Sequence, residues 1–193
     1  MPLRVLVSGC LAGRLCGVDG TSYGEHPLAR RLLELPNVQA VAFCPEEEAF
    51  GTPRAMPDIH GGDGFDVLDG RARVISDAGD DWTGAMLRSA LRMKDIAVQH
   101  GVHLAVLTDI SAACGSTVIS DGPRRLKVYR RGPGVAAAVL IRSGIPVVSQ
   151  RDERTLGLLF TKLGVADAPF TDRADHHERP WYQEYFRLAG EGS

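Results

Sequence analysis

At 193 residues the chain is long enough to bury a sizeable core as one domain, without disulfide or metal staples to hold it. Its composition, 44% apolar and 24% charged, is ordinary for a globular protein, and a formal charge of −2 gives no electrostatic reason to expect nucleic acid or an anionic membrane as partner. No apolar stretch approaches the ~20 residues that cross a bilayer, and the first apolar run after Met1 is too short for a signal-peptide core, so a cytoplasmic protein acting on a small molecule is expected.

Taken in chain order, the signals alternate between strand and helix. Leu3 through Val7 read as a strand leading into Ser8-Gly9-Cys10, followed by a glycine-rich loop through Gly24. A helix is expected from about His26 to Leu35, where Leu28, Leu32, Leu33 and Leu35 fall mostly on one face, and Pro36-Asn37 ends it. The second strand, Val38 to Phe43, leads into Cys44-Pro45-Glu46, and a long irregular segment is expected from Pro45 to Gly64. Val67 to Ile75 reads as a β-hairpin turning on Asp69-Gly70, because Asp-Gly supplies the positive φ angles of a two-residue turn. Asp80 or Asp81 is placed to cap a helix running to about His100, with Met86, Ala90, Met93 and Ala97 along its apolar stripe.

The third strand, Leu104 to Leu107, leads to Ser111-Ala112-Ala113-Cys114, and the polar stretch from Ser116 to Gly132 has room for another hairpin. A helix from Pro133 to Ser143 precedes a short strand, Ile145 to Val148, whose Pro146 puts it at a sheet edge or close to the strand start. A final helix covers roughly Glu153 to Leu163. These elements make residues 1–163 a single α/β domain: a three-layer α/β/α sandwich with a mostly parallel, Rossmann-like sheet. Residues 164–193 form a tail whose Trp181, Tyr182, Tyr185 and Phe186 have the spacing of a helix face that docks on the domain or on a second subunit; a monomer or weak homodimer is expected.

The chemistry lies with the cysteines. Four in a reducing compartment make a poor disulfide framework, and no two are spaced as a ribbon-type zinc site or a thioredoxin-like motif requires. Cys10, Cys44 and Cys114 each follow the end of a predicted parallel strand, and the crevice beyond the carboxyl ends of such strands is where ligands bind. Cysteines also fill cores as small hydrophobes, but these three stand in glycine- or proline-containing loops. Three thiolates leave one coordination position open, so the set reads as a catalytic metal centre, with an iron–sulfur cluster ahead of zinc. Cys16, in the loop of Cys10, is left as a fourth ligand, a nucleophilic or sulfur-carrying thiol, or a bystander. Glu46 is placed to act as a general base toward water, and Ser111 to hold that water or the substrate, although a serine there also caps turns. Glu47 and Glu48 are expected in solvent, as are His176 and His177. The alternatives are a zinc hydrolase using the same three sulfurs and a non-catalytic protein that senses sulfur or redox state.

Several motifs in order, Ser8-Gly9-Cys10-Leu11-Ala12-Gly13, Asp19-Gly20, Cys44-Pro45-Glu46, Thr52-Pro53-Arg54, Gly61-Gly62-Asp63-Gly64 and Ser111 through Ser116, resemble the thiouracil desulfidase family. The resemblance runs from about Leu3 to Ser149, through Gly134-Val135-Ala136-Ala137 and Gly144-Ile145-Pro146-Val147. It implies a [4Fe-4S] cluster on Cys10, Cys44 and Cys114, catalytic roles for Glu46 and Ser111, and a thiolated nucleobase such as thiouracil as substrate. The implied reaction is a hydrolysis in which water replaces sulfur and hydrogen sulfide leaves, with no net electron transfer. The chain departs from the family at Gly17-Val18, where Arg-Tyr is usual, and at Ala112 and Ala113, where prolines are common. Gly61 through Gly64 is expected to close over the pocket.

Overall fold

The computed structural model describes residues 2–22, 26–168 and 172–191. The chain runs through β1 (Leu3–Ser8), a 3₁₀ turn (Gly9–Ala12), α1 (Pro27–Leu33), β2 (Val38–Phe43), α2 (Pro45–Phe50), β3 (Pro57–His60), α3 (Gly64–Leu68), β4 (Arg73–Ser76) and α4 (Thr83–Gln99). It continues with β5 (Leu104–Leu107), β6 (Val118–Ser120), β7 (Tyr129–Arg131), α5 (Val135–Arg142), β8 (Val147–Ser149), α6 (Glu153–Lys162) and α7 (Pro180–Glu191).

The central sheet has the order β2-β1-β5-β8 and all its pairings are parallel. Parallel strands buried on both faces should carry apolar residues at successive positions. β1 does so: Val5, Leu6 and Val7 are all buried, and their alternation assigns them to opposite layers. Leu6, with Ala105 and Leu107 of β5, packs in a core with Met86, Ala90 and Met93 of α4 and the alanines of α5. Val5, Val7 and Val106 pack on the other side with Leu28 and Leu32 of α1 and Leu156 and Phe160 of α6. Each large side chain fully buried in these layers contributes about 1.5–3 kcal/mol. The result is the expected three-layer α/β/α sandwich, with β8 at the sheet edge and Pro146 just before it.

Two stretches differ from the sequence expectation. The segment after Cys44 is not irregular: Pro45 at the first helical position and three glutamates in the first turn start α2, the arrangement that suits a helix N-terminus. The expected hairpin over Val67–Ile75 does not form. Asp63 accepts from the backbone N–H groups of Phe65 and Asp66, while the Asp66 carboxylate accepts from the Asp63 N–H, and this capping box makes 64–68 helical. Gly70, at φ 74°, turns the chain out of that helix, and β4 pairs antiparallel with β3 instead. Gly61 through Gly64 is not among the residues that line the cavity at the strand ends; Gly64 N–H donates to Pro133 O at 2.6 Å, so the segment packs at the start of α5.

β6 and β7 form the hairpin expected between Ser116 and Gly132. The helix expected to be last is followed by another, α7, which lies beyond a 3₁₀ turn at His176–Glu178. Tyr185 Oη accepts from the Tyr129 N–H at 2.8 Å, and the Trp181 ring meets that of Tyr129 edge-on at 5.3 Å. Among the described residues no helix is long and apolar enough to cross a membrane.

Candidate functional site

The carboxyl ends of β1, β2, β5 and β8 open onto one cavity of about 400 Å³. Each strand contributes through the backbone that follows it. The 3₁₀ turn after β1 carries Cys10 and closes on Gly13, whose φ of 83° favours glycine. Cys44 caps α2, its sulfur accepting from the Glu47 N–H at 3.4 Å. Cys114 follows β5 on a loop tied to the start of α5: Val135 N–H donates to Ala112 O at 2.8 Å and Ala136 N–H to Ala113 O at 2.9 Å. Gly134 is glycine because a Cβ there would lie 2.6 Å from the Ala113 carbonyl carbon.

Cys10, Cys44 and Cys114 all line this cavity, as their strand-end placement predicts, and so does Cys16. The Cys16 thiol hydrogen-bonds to both Cys10 and Cys44 and is pushed far up as a result. The same bond, assisted by Thr108 Oγ1 at 2.9 Å from the Cys10 sulfur, lowers Cys10 to about 7 against the opposing effect of burial. Cys44 is lowered too, by Cys16 and then by the Glu47 N–H and the charge of Arg54. Cys114 is raised, chiefly by burial and then by the nearby Cys44.

The same cavity is lined by an oxygen network. Ser111 Oγ donates to Glu46 Oε1 at 2.9 Å while accepting from the N–H groups of Cys114, at 2.9 Å, and Ala113, at 3.2 Å. Glu46 Oε2 meets Arg54 Nη2 at 2.7 Å in an ion pair whose side chains are 12% and 3% exposed. Arg54 Nη1 donates to the carbonyls of Cys16, at 3.0 Å, and Gly51, at 3.1 Å, so one guanidinium joins Glu46 to the Cys16 loop. Glu47 points away to a surface pair with Arg14 at 2.6 Å.

Three cysteine sulfurs from three separate strand ends line one cavity, and soft sulfur donors of this kind suit iron–sulfur groups. Among the described residues no three His, Cys, Asp or Glu side chains converge closely enough to hold a single metal ion.

The family model for 2-thiouracil desulfurase matches residues 5–152, a stretch that contains all three sulfurs and the Glu46–Ser111 pair. The chain belongs to the 2-thiouracil desulfurase family. Over 149 residues it is 34% identical to the uncharacterised protein YbbK of Bacillus subtilis (strain 168), covering 77% of this chain and 96% of that relative. Among solved structures it is similar to the [4Fe-4S]-dependent thiouracil desulfidase TudS, with a TM-score of 0.65 and 29% identity over 83% of this chain and 99% of that one.

Within this 2-thiouracil desulfurase framework, three features escaped the sequence reading of the site. Arg54 is named there only as part of a motif, with no partner assigned. Asp109 is buried in the cavity wall, and nothing local marks it. His176, expected in solvent, is 1% exposed, and its Nδ1 lies 2.5 Å from Asp109 Oδ2; His177 is exposed as expected. Burial acts to raise the Asp109 carboxyl, but the hydrogen bond and charge of His176, with the Ser116 and Ile110 N–H groups, hold it below the usual carboxylate value. Ile110, between Asp109 and Ser111, has φ 56°, a left-handed conformation that costs a β-branched residue roughly 1–3 kcal/mol.

Proposed function

We propose that this protein is a [4Fe-4S]-dependent desulfidase that removes sulfur from a thiolated nucleobase such as thiouracil by non-redox hydrolysis, releasing hydrogen sulfide. The observation that carries this reading is one cavity lined both by Cys10, Cys44 and Cys114 and by the Glu46–Ser111 pair, in a chain of the 2-thiouracil desulfurase family. The desulfidase named among the similar structures is described as [4Fe-4S]-dependent and acting on thiouracil, which supports the same cofactor and substrate class here.

Cys10, Cys44 and Cys114 would hold the cluster. Bound by three cysteines, it would supply a soft Lewis-acidic iron free of protein ligands, suited to withdraw electrons from a thiocarbonyl sulfur. The chain's own residues handle water and protons. Glu46 and Ser111 both line the cavity, and Glu46 Oε1, held by Ser111, would take the proton of a water in the cavity as that water's oxygen attacks the thiocarbonyl carbon. Ser111 Oγ is held by the Ala113 and Cys114 N–H groups, so its lone pairs and hydrogen are fixed in direction before substrate arrives. Arg54 fixes the other carboxylate oxygen, leaving Glu46 no freedom to swing away. Thiocarbonyl and water thus give carbonyl and hydrogen sulfide; the protons are conserved and no electron enters or leaves.

The test is turnover of 2-thiouracil by cluster-loaded protein under anaerobic conditions, with uracil and sulfide measured together. Equal release of both without added reductant supports the reading. A need for reductant, or no release from any thiolated base, would contradict it.

A further inference from the structure

The segment beyond residue 152 lies outside the family match, yet it reaches the loop that carries Ser111 and Cys114. We infer that His176 is a positioning residue of the active site: through Asp109 it clamps the strained turn after β5 that aims Ser111 and Cys114 into the cavity. The inference rests on the desulfidase reading only for its activity arm.

Asp109 is the hub. Its Oδ1 accepts from the Ser116 N–H at 3.0 Å and its Oδ2 from His176 Nδ1, while its own N–H donates to Gln150 Oε1 at 2.7 Å. One buried residue thereby joins the β5 loop, the approach to β6, the end of β8 and the C-terminal segment. The next residue, Ile110, sits at φ 56°, and such a conformation persists only where the surroundings enforce it. Ser111 follows directly. His176 is in turn held without freedom of its own. Its N–H donates to Asp152 Oδ1 at 3.1 Å, its ring stacks on Trp181 at an interplanar angle of 7°, and the preceding Asp175 accepts from the N–H and hydroxyl of Thr155 at 2.9 and 2.7 Å. A rigid C-terminal segment therefore presents one N–H donor to one carboxylate beside the reacting groups. His176 itself does not line the cavity, so its effect is on placement and not on the chemistry.

The choice of donor atom makes the inference testable. Asparagine puts its amide N–H where the histidine Nδ1–H lies, whereas glutamine carries its amide out to the Nε2 position. With cluster-loaded full-length protein, His176→Asn should keep kcat per cluster within about threefold of wild type. His176→Gln should lower kcat on the order of tenfold to a hundredfold with little change in KM, because misplacement and not binding is lost. Hydrogen exchange of the peptide covering residues 111–118 should quicken in His176→Gln and stay slow in His176→Asn. Should His176→Gln fail to fold, Asp175→Ala, which releases the Thr155 contacts and leaves His176 in place, should move both readouts in the same direction by a smaller factor. Exchange at 111–118 unchanged in His176→Gln and Asp175→Ala, or equal losses of kcat in His176→Asn and His176→Gln, would overturn the assignment. A protein that desulfurates nothing while exchange follows the Asn–Gln difference would sink the functional reading and leave the clamp standing.

Discussion

Two sets of groups line the cavity, an oxygen wall around Glu46 and a sulfur wall of cysteines, and they are built on opposite plans. On the oxygen wall the carboxylate and the hydroxyl already have fixed partners: Arg54 and Ser111 occupy the two oxygens of Glu46, and backbone N–H groups hold Ser111. On the sulfur wall the free thiols lean on each other, with Cys16 hydrogen-bonded to Cys10 and Cys44, and Cys114 raised by burial with Cys44 nearby. The first wall is organised before anything binds. The second gathers groups whose charged forms repel one another unless a cation is shared among them. Pre-set acid–base groups beside sulfurs able to share a cation are the arrangement the proposed hydrolysis calls for.

The sharpest way to break this contrast is on the sulfur wall. Alanine at Cys10, Cys44 or Cys114 should remove the cluster's visible absorption, while Cys16→Ala should leave it largely intact; loss of the cluster in Cys16→Ala to the same degree would make the sulfur wall a four-ligand site. On the oxygen wall, Glu46→Gln should keep its iron and lose turnover by roughly a hundredfold or more, the scale on which a general base acts. Turnover per iron is the quantity to compare.

Removing Arg54 tests whether the oxygen wall is truly fixed in advance. Arg54→Met leaves the Glu46 carboxylate buried without its partner, a change that typically costs about 3–5 kcal/mol. A fall in Tm on the order of 10 °C should follow. Arg54→Lys should recover part of it, because the charge returns without the two-pronged geometry. Ser111→Ala should lower turnover by about tenfold, since orientation is lost and the base remains. The smallest effect belongs to Glu47→Ala, which breaks only the exposed pair with Arg14: about 0–1 kcal/mol of stability, and unchanged kcat. A large loss of kcat there would mean that the acidic run acts as a unit and not through Glu46 alone.

What the sequence revealed and what it hid follow the same division. The sulfur wall was legible because β1, β2 and β5 announce themselves by short apolar runs, and parallel strands bring their carboxyl ends to one edge. The Glu46–Ser111 contact joins residues 65 positions apart and was approached only through their nearness to cysteines. Arg54 and Asp109 carry no periodicity, and their partners lie on other elements. His176 was hardest: adjacent histidines in a polar stretch look solvated, and only the docking of α7 buries one of them. The missed helices had local signals, proline at the first position of α2 and the Asp63–Asp66 capping box of α3, which the Asp69-Gly70 turn signal and the expectation of a long loop obscured.

The central claim is that Cys10, Cys44 and Cys114 hold a [4Fe-4S] cluster against a prepared Glu46–Ser111 pair. Protein purified without oxygen should be brown and contain about four irons and four acid-labile sulfides per chain. One zinc per chain with no labile sulfide would contradict it.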